Sequence, residues 1–120
     1  MARILLADDD QNARDFVGRA LETAGHTVVV ADDGVDALAK LSSNGPFEIL
    51  LTDVQMPALD GIALTHQAIA ADPRIRVLMM SGYPDVLERA RSTAKGAVHF
   101  LSKPFTIDTI RTAVAAALKG

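Results

Sequence analysis

Short apolar runs alternate along this chain with longer stretches patterned at helical spacing. The runs are Ile4–Ala7, Thr27–Ala31, Ile49–Leu51, Val77–Met80 and Ala97–Leu101. Within them apolar and polar positions do not alternate, as expected of parallel strands covered on both faces. Between the first two runs, Ala13, Phe16, Val17, Ala20, Leu21 and Ala24 recur on one face of a helix predicted over Gln11 to Ala24. Asp10 is suited to cap its start and Gly25 to close its end. A second helix is predicted from Gly34, with Val35, Ala37, Leu38 and Leu41 inward, and Gly45-Pro46 ends that segment. A third starts at Gly61 and stops before Asp72-Pro73, because the residue before a proline avoids the helical region. A fourth starts at Pro84, a residue at home in a first helical turn, and runs towards Gly96. A fifth follows Thr106 as N-cap, with Ile107, Ile110, Val114 and Leu118 as its buried stripe.

Five strand–helix units joined by right-handed crossovers predict an α/β fold: a doubly wound, five-stranded parallel sheet with helices on both faces. The chain has 120 residues with no repeat or linker, so residues 1–120 are expected to form one domain. The pattern alone does not order the strands. In such folds ligands gather outside the carboxyl ends of the strands. The residues that follow each run are therefore the ones to examine.

Asp8, Asp9 and Asp10 follow the first run, Asp53 the third, Ser81 the fourth and Lys103-Pro104 the fifth. Asp32 and Asp33 follow the second and suit a turn and a cap. Taken singly, each group has a plain structural reading as a cap, turn or solvated loop residue. Together they are complementary. Carboxylates crowded at one sheet edge resist ionising together, and a hard divalent cation relieves them. Oxygen ligands without His or Cys suit magnesium. A lysine adds a compact positive charge, and a serine hydroxyl can donate to a phosphoryl oxygen. A carboxylate nucleophile beside these groups points to phosphoryl transfer, where positioning and electrostatics dominate.

Composition narrows the classes. Twelve basic against fifteen acidic residues give a net charge of −3, against the basic stripe of a nucleic-acid binder and against an anionic membrane partner. Cysteine is absent, so no disulfide framework or thiolate zinc site exists. No apolar run is long enough to span a bilayer, and a cytoplasmic location is expected. His26, His66 and His99 are scattered without metal spacing and suit surface or loop roles. Arg89, Arg91 and Lys95 are expected on a solvated helix face.

The stretches Ile-Leu-Leu-Ala-Asp8-Asp9-Asp10, Leu-Leu-Thr-Asp53-Val-Gln-Met56-Pro57-Ala-Leu-Asp60-Gly61, Met-Met-Ser81-Gly82 and Ser-Lys103-Pro104-Phe105 resemble the signature of response-regulator receiver domains, the CheY-like family. The similarity runs through the whole chain in order. It implies a flavodoxin-like strand order of 2-1-3-4-5. It implies Asp53 as phosphoacceptor, with Lys103 and Ser81 assisting. It implies magnesium as cofactor, held by Asp9 directly, by Asp8 through water, by Asp53 and by the backbone carbonyl of Gln55. Ser81 and Phe100 stand where the family has its switch pair, and the Lys103-Pro104 bond is cis in relatives. Phe100 lacks the phenol oxygen common at that position. Gln55 and Tyr83 lie two residues beyond Asp53 and Ser81, where side chains can obstruct hydrolysing water; Tyr83 is expected to slow that hydrolysis.

The resemblance further implies a two-component phosphorelay. A sensor histidine kinase or histidine phosphotransfer protein donates to Asp53, and the face formed by the fourth helix, fifth strand and fifth helix then acts on an effector in trans. The chain would be no enzyme beyond catalysing its own phosphorylation and slow autodephosphorylation. A looser likeness to stand-alone regulators of the CpdR type rests on the first and last motifs. Two alternatives stay open at this point: a phosphorylation-independent binding module, and an aspartyl-nucleophile phosphatase. The latter is disfavoured by Gln55, where a second acid would be expected.

Overall fold

The computed structural model describes residues 1–94 and 96–119. The elements run β1 (Arg3–Ala7), α1 (Gln11–Thr23), β2 (Thr27–Ala31), α2 (Gly34–Ser43), β3 (Ile49–Asp53), α3 (Gly61–Ala71), β4 (Arg76–Ser81), α4 (Pro84–Thr93), β5 (Val98–Ser102) and α5 (Ile107–Lys119). All strand pairs are parallel, in the order β2-β1-β3-β4-β5. The predicted fold class and the strand order implied by the resemblance both hold.

Local chemistry sets the helix bounds. Asp10, Asp33 and Asp60 each accept a main-chain N–H of the helix they precede, from Asn12, Asp36 and Ala63 respectively. Gly25 adopts φ +100° just past α1, a conformation that favours glycine. Thr106 Oγ1 accepts from Thr109 N at the start of α5. The fourth helix stops at Thr93 rather than near Gly96. Lys95, expected on its solvated face, lies outside the described residues.

The sheet separates two apolar layers, and alternate residues of each strand enter opposite ones. Ile4, Leu6, Ile49, Leu51, Leu78 and Met80 pack with Val17, Ala20 and Leu21 of α1 and Ile110, Val114 and Ala117 of α5. Leu5, Ala7, Leu50, Val77 and Met79 pack with residues of α2, α3 and α4. Four expected core positions instead face water: Phe16 is 43% exposed, Val35 55% and Ile107 43%, and Ala24 is exposed too. Phe16, Val35 and Ile107 stand in the first half of their helices, and Ala24 is the C-cap of α1. The edge strands β2 and β5 are also more exposed than the central three.

Candidate functional site

The site forms where β1, β3, β4 and β5 end side by side. The register sets Ala7 beside Thr52, Asp53 beside Met80 and Ser81 beside Ser102. Lys103 N donates to Ser81 O at 2.8 Å, so the chain leaves β5 still tied to β4. The Lys103-Pro104 peptide is cis, as the resemblance implied; Gly45-Pro46 is cis too.

Lys103 is the hub. Its Nζ lies 3.1 Å from Asp8 Oδ2 and 3.0 Å from Asp53 Oδ1. Asp8 is buried, and its other carboxylate oxygen accepts from Asp10 N at 3.0 Å. Asp9 is exposed, yet Asp8, Asp9 and Asp53 each bring a carboxylate oxygen within 4.8 Å of one another. Three carboxylates against one ammonium leave a negative excess that a divalent cation would balance. The donors are all oxygen, so the residues present fit magnesium.

Burial pushes the Asp53 carboxyl above its ordinary value. Lys103 opposes that rise, and the charges of Asp8 and Asp9 add to it. Burial also works against the charge on Lys103, but the Asp53 and Asp8 carboxylates outweigh it and hold the ammonium above the ordinary lysine value.

Asp53, Gln55, Ser81, Gly82, Tyr83, Lys103 and Pro104 line one cleft of about 440 Å³. Ser81 is buried, and its Oγ accepts from Tyr83 N at 3.1 Å. Tyr83 itself is 62% exposed at the rim. Behind the site, Gly61 N donates to Val54 O at 2.7 Å, and a Cβ on Gly61 would stand 2.3 Å from Asp53 O. Only glycine lets α3 approach the Asp53 main chain so closely. Phe100 lies on β5 rather than in the cleft, half-buried against the α2–α4 layer.

Two contacts escaped the sequence. Arg14 Nη1 donates to Asp8 O at 2.7 Å. The Arg91 guanidinium, expected to be solvated, lies 4.8 Å from the centre of the Phe100 ring. A basic residue four or five positions past an acidic turn was a weak cue for the first; the second had none. Two histidines have structural places: His26 Nδ1 accepts from Ala2 N at 3.1 Å, and His99 is a strand residue rather than a loop one; His66 is exposed on α3.

The family model for the response regulator receiver domain matches residues 4–115. The chain belongs to the response regulator receiver family. It is 42% identical to the response regulator receiver protein CpdR of Brucella abortus, over 88% of this chain and 87% of that one. It is 35% identical to the response regulator MprA of Mycobacterium ulcerans over 98% of its own length, but spans only 50% of that relative. The receiver domain from the hybrid histidine kinase CckA superposes with a TM-score of 0.81 at 32% identity, covering 97% of this chain and 98% of that one. The protein is thus a receiver domain of two-component systems, a family of signalling domains rather than enzymes, whose members typically use magnesium. No described helix is long and apolar enough to cross a membrane.

Proposed function

We propose that residues 1–120 act as a phosphoryl-accepting receiver, with Asp53 as acceptor. The supporting observation is Lys103 Nζ placed between Asp53 and Asp8, with Asp9 completing the carboxylate set. An Asp53 oxygen attacks the phosphorus of a phosphohistidine. The phosphorus–nitrogen bond breaks, the imidazole leaves, and an acyl phosphate forms. Lys103 keeps its charge and can move from the carboxylates to a phosphoryl oxygen. Ser81 turns its hydroxyl to donate to another. Asp8, Asp9, Asp53 and the Gln55 carbonyl would hold magnesium, which when bound would supply positive charge to the phosphoryl oxygens. Phe100 follows Ser81 and biases the face of α4, β5 and α5.

The donor would be a sensor histidine kinase or histidine phosphotransfer protein, and the reader a protein effector in trans. Gln55 is an amide where an aspartyl phosphatase needs its second acid, which favours a stable adduct over turnover. Tyr83, at the rim, slows hydrolysis by obstructing water; Tyr83→Ala should shorten the phosphoryl lifetime, and an unchanged dephosphorylation rate would remove that role. The reading is tested by incubation with acetyl phosphate and magnesium, followed by intact-mass spectrometry. One added phosphoryl group is expected, absent in Asp53→Asn and without magnesium. No adduct, with no beryllofluoride binding, would leave a constitutive binding module.

A further inference from the structure

Asp8 is 1% exposed, and each of its polar groups is engaged. Its N–H donates to Ala31 O at 3.3 Å. Its side-chain oxygens accept from Asp10 N and Lys103 Nζ. Its carbonyl accepts from Arg14 Nη1 at 2.7 Å. That carbonyl belongs to the rigid peptide plane joining Asp8 to Asp9. Fixing this carbonyl fixes ψ of Asp8 and φ of Asp9, the two rotations that set how the side chains of Asp8 and Asp9 are directed relative to one another. Arg14 is half-buried in the second turn of α1, and its charge is applied to this main-chain oxygen rather than to a carboxylate.

We propose that Arg14 is a positioning residue for the metal-binding carboxylates: by holding the Asp8–Asp9 peptide plane it sets the directions in which both acids leave the end of β1. The inference rests on the proposed magnesium-dependent chemistry of the site. Two effects of Arg14 differ in sign. As a bare positive charge beside three aspartates it would repel a divalent cation, so its removal would tighten binding. As a brace for the peptide plane, its removal would loosen binding.

The test is a titration of the full chain with magnesium chloride, followed through the backbone amide NMR signals of residues 8–10 and 53. Hydrogen exchange of the same amides is measured without metal. Arg14→Ala should raise the magnesium concentration at half-saturation by about tenfold, the scale for groups that orient ligands. It should also speed exchange at Asp9 and Asp10. Arg14→Lys, which keeps a donor and the charge, should recover most of the affinity. Unchanged or tighter binding by a folded Arg14→Ala would overturn the proposal. If Arg14→Ala does not fold, Arg14→Gln replaces it, keeping part of the stem but too short to reach the carbonyl. A wild-type chain that ignores magnesium would instead overturn the metal reading of the site, and this inference with it.

Discussion

Helices α4 and α5 flank the same strand, β5, yet they are fastened in different ways. Ile110, Val114 and Ala117 of α5 are buried against the sheet and α1. Arg111 then crosses to α1, with Nε donating to Ala20 O at 2.9 Å and Nη2 to Thr23 Oγ1 at 2.6 Å. Phe105, ahead of α5, meets Phe16 of α1 at 6.5 Å between ring centres. By contrast, Tyr83 precedes α4 without a side-chain cap. Among the described residues, the side-chain hydrogen bonds of α4 all return to its own carbonyls. Val86, Leu87 and Ala90 supply its burial, and Arg91 over Phe100 is, among the described residues, its one charged contact with β5. Apolar burial is non-directional, whereas crossing hydrogen bonds impose a register. A helix held by burial alone can shift while keeping most of its contacts. The difference leaves α4 less fixed in register than α5.

The sharpest way to break the contrast is to cut into each anchor. Ile110→Ala should cost about 2–5 kcal/mol in urea denaturation, the range for emptying a tight core site. Leu87→Ala should cost less globally and chiefly speed hydrogen exchange within α4. Equal global losses would make the two helices one cooperative unit.

The acidic site adds a pH-dependent contribution of its own. Because burial raises the Asp53 carboxyl, the folded protein binds more protons than the unfolded chain just above the ordinary value of 3.8. Stability from this group is therefore present in acid and lost as pH rises through the raised value. Asp53→Asn should melt about 2–6 °C higher than wild type at neutral pH without metal. That gap should close in acid, and magnesium should narrow it by stabilising the wild type. A gap independent of pH would mean that charge is not its cause.

Removing the crossing bonds should make α5 behave more like α4. Arg111→Ala should cost about 1 kcal/mol in urea denaturation and raise exchange in α5 towards that of α4. The smallest effect belongs to Arg91→Ala. It should cost about 0.5 kcal/mol, the scale of an exposed cation–π contact, and change the ring signals of Phe100 by NMR. Unchanged ring signals would mean that Arg91 does not hold Phe100.

What the sequence made legible follows the range of the interactions. Asp10 and Asp33 cap helices through bonds two or three residues long, and such local chemistry is visible in a string of letters. The acids, Ser81 and Lys103 were legible as a set because strand ends bring them together. Phe16, Ala24, Val35 and Ile107 were misplaced because periodicity defines a helix face but not how far along that face burial runs. Arg14 was missed because its acceptor is a main-chain oxygen, which every residue possesses and no sequence distinguishes.

Asp8 and Lys103 stand 95 positions apart along the chain, yet they share a hydrogen bond. Closing so long a loop is among the slow, late requirements of folding. During synthesis the first carboxylates leave the ribosome long before their lysine does. A nascent or misfolded chain without a docked β5 has the acceptor aspartate but not its counter-charge. On the chemistry proposed above, competence to take a phosphoryl group would then certify that the last strand has arrived, and the signal would be withheld from every unfinished copy.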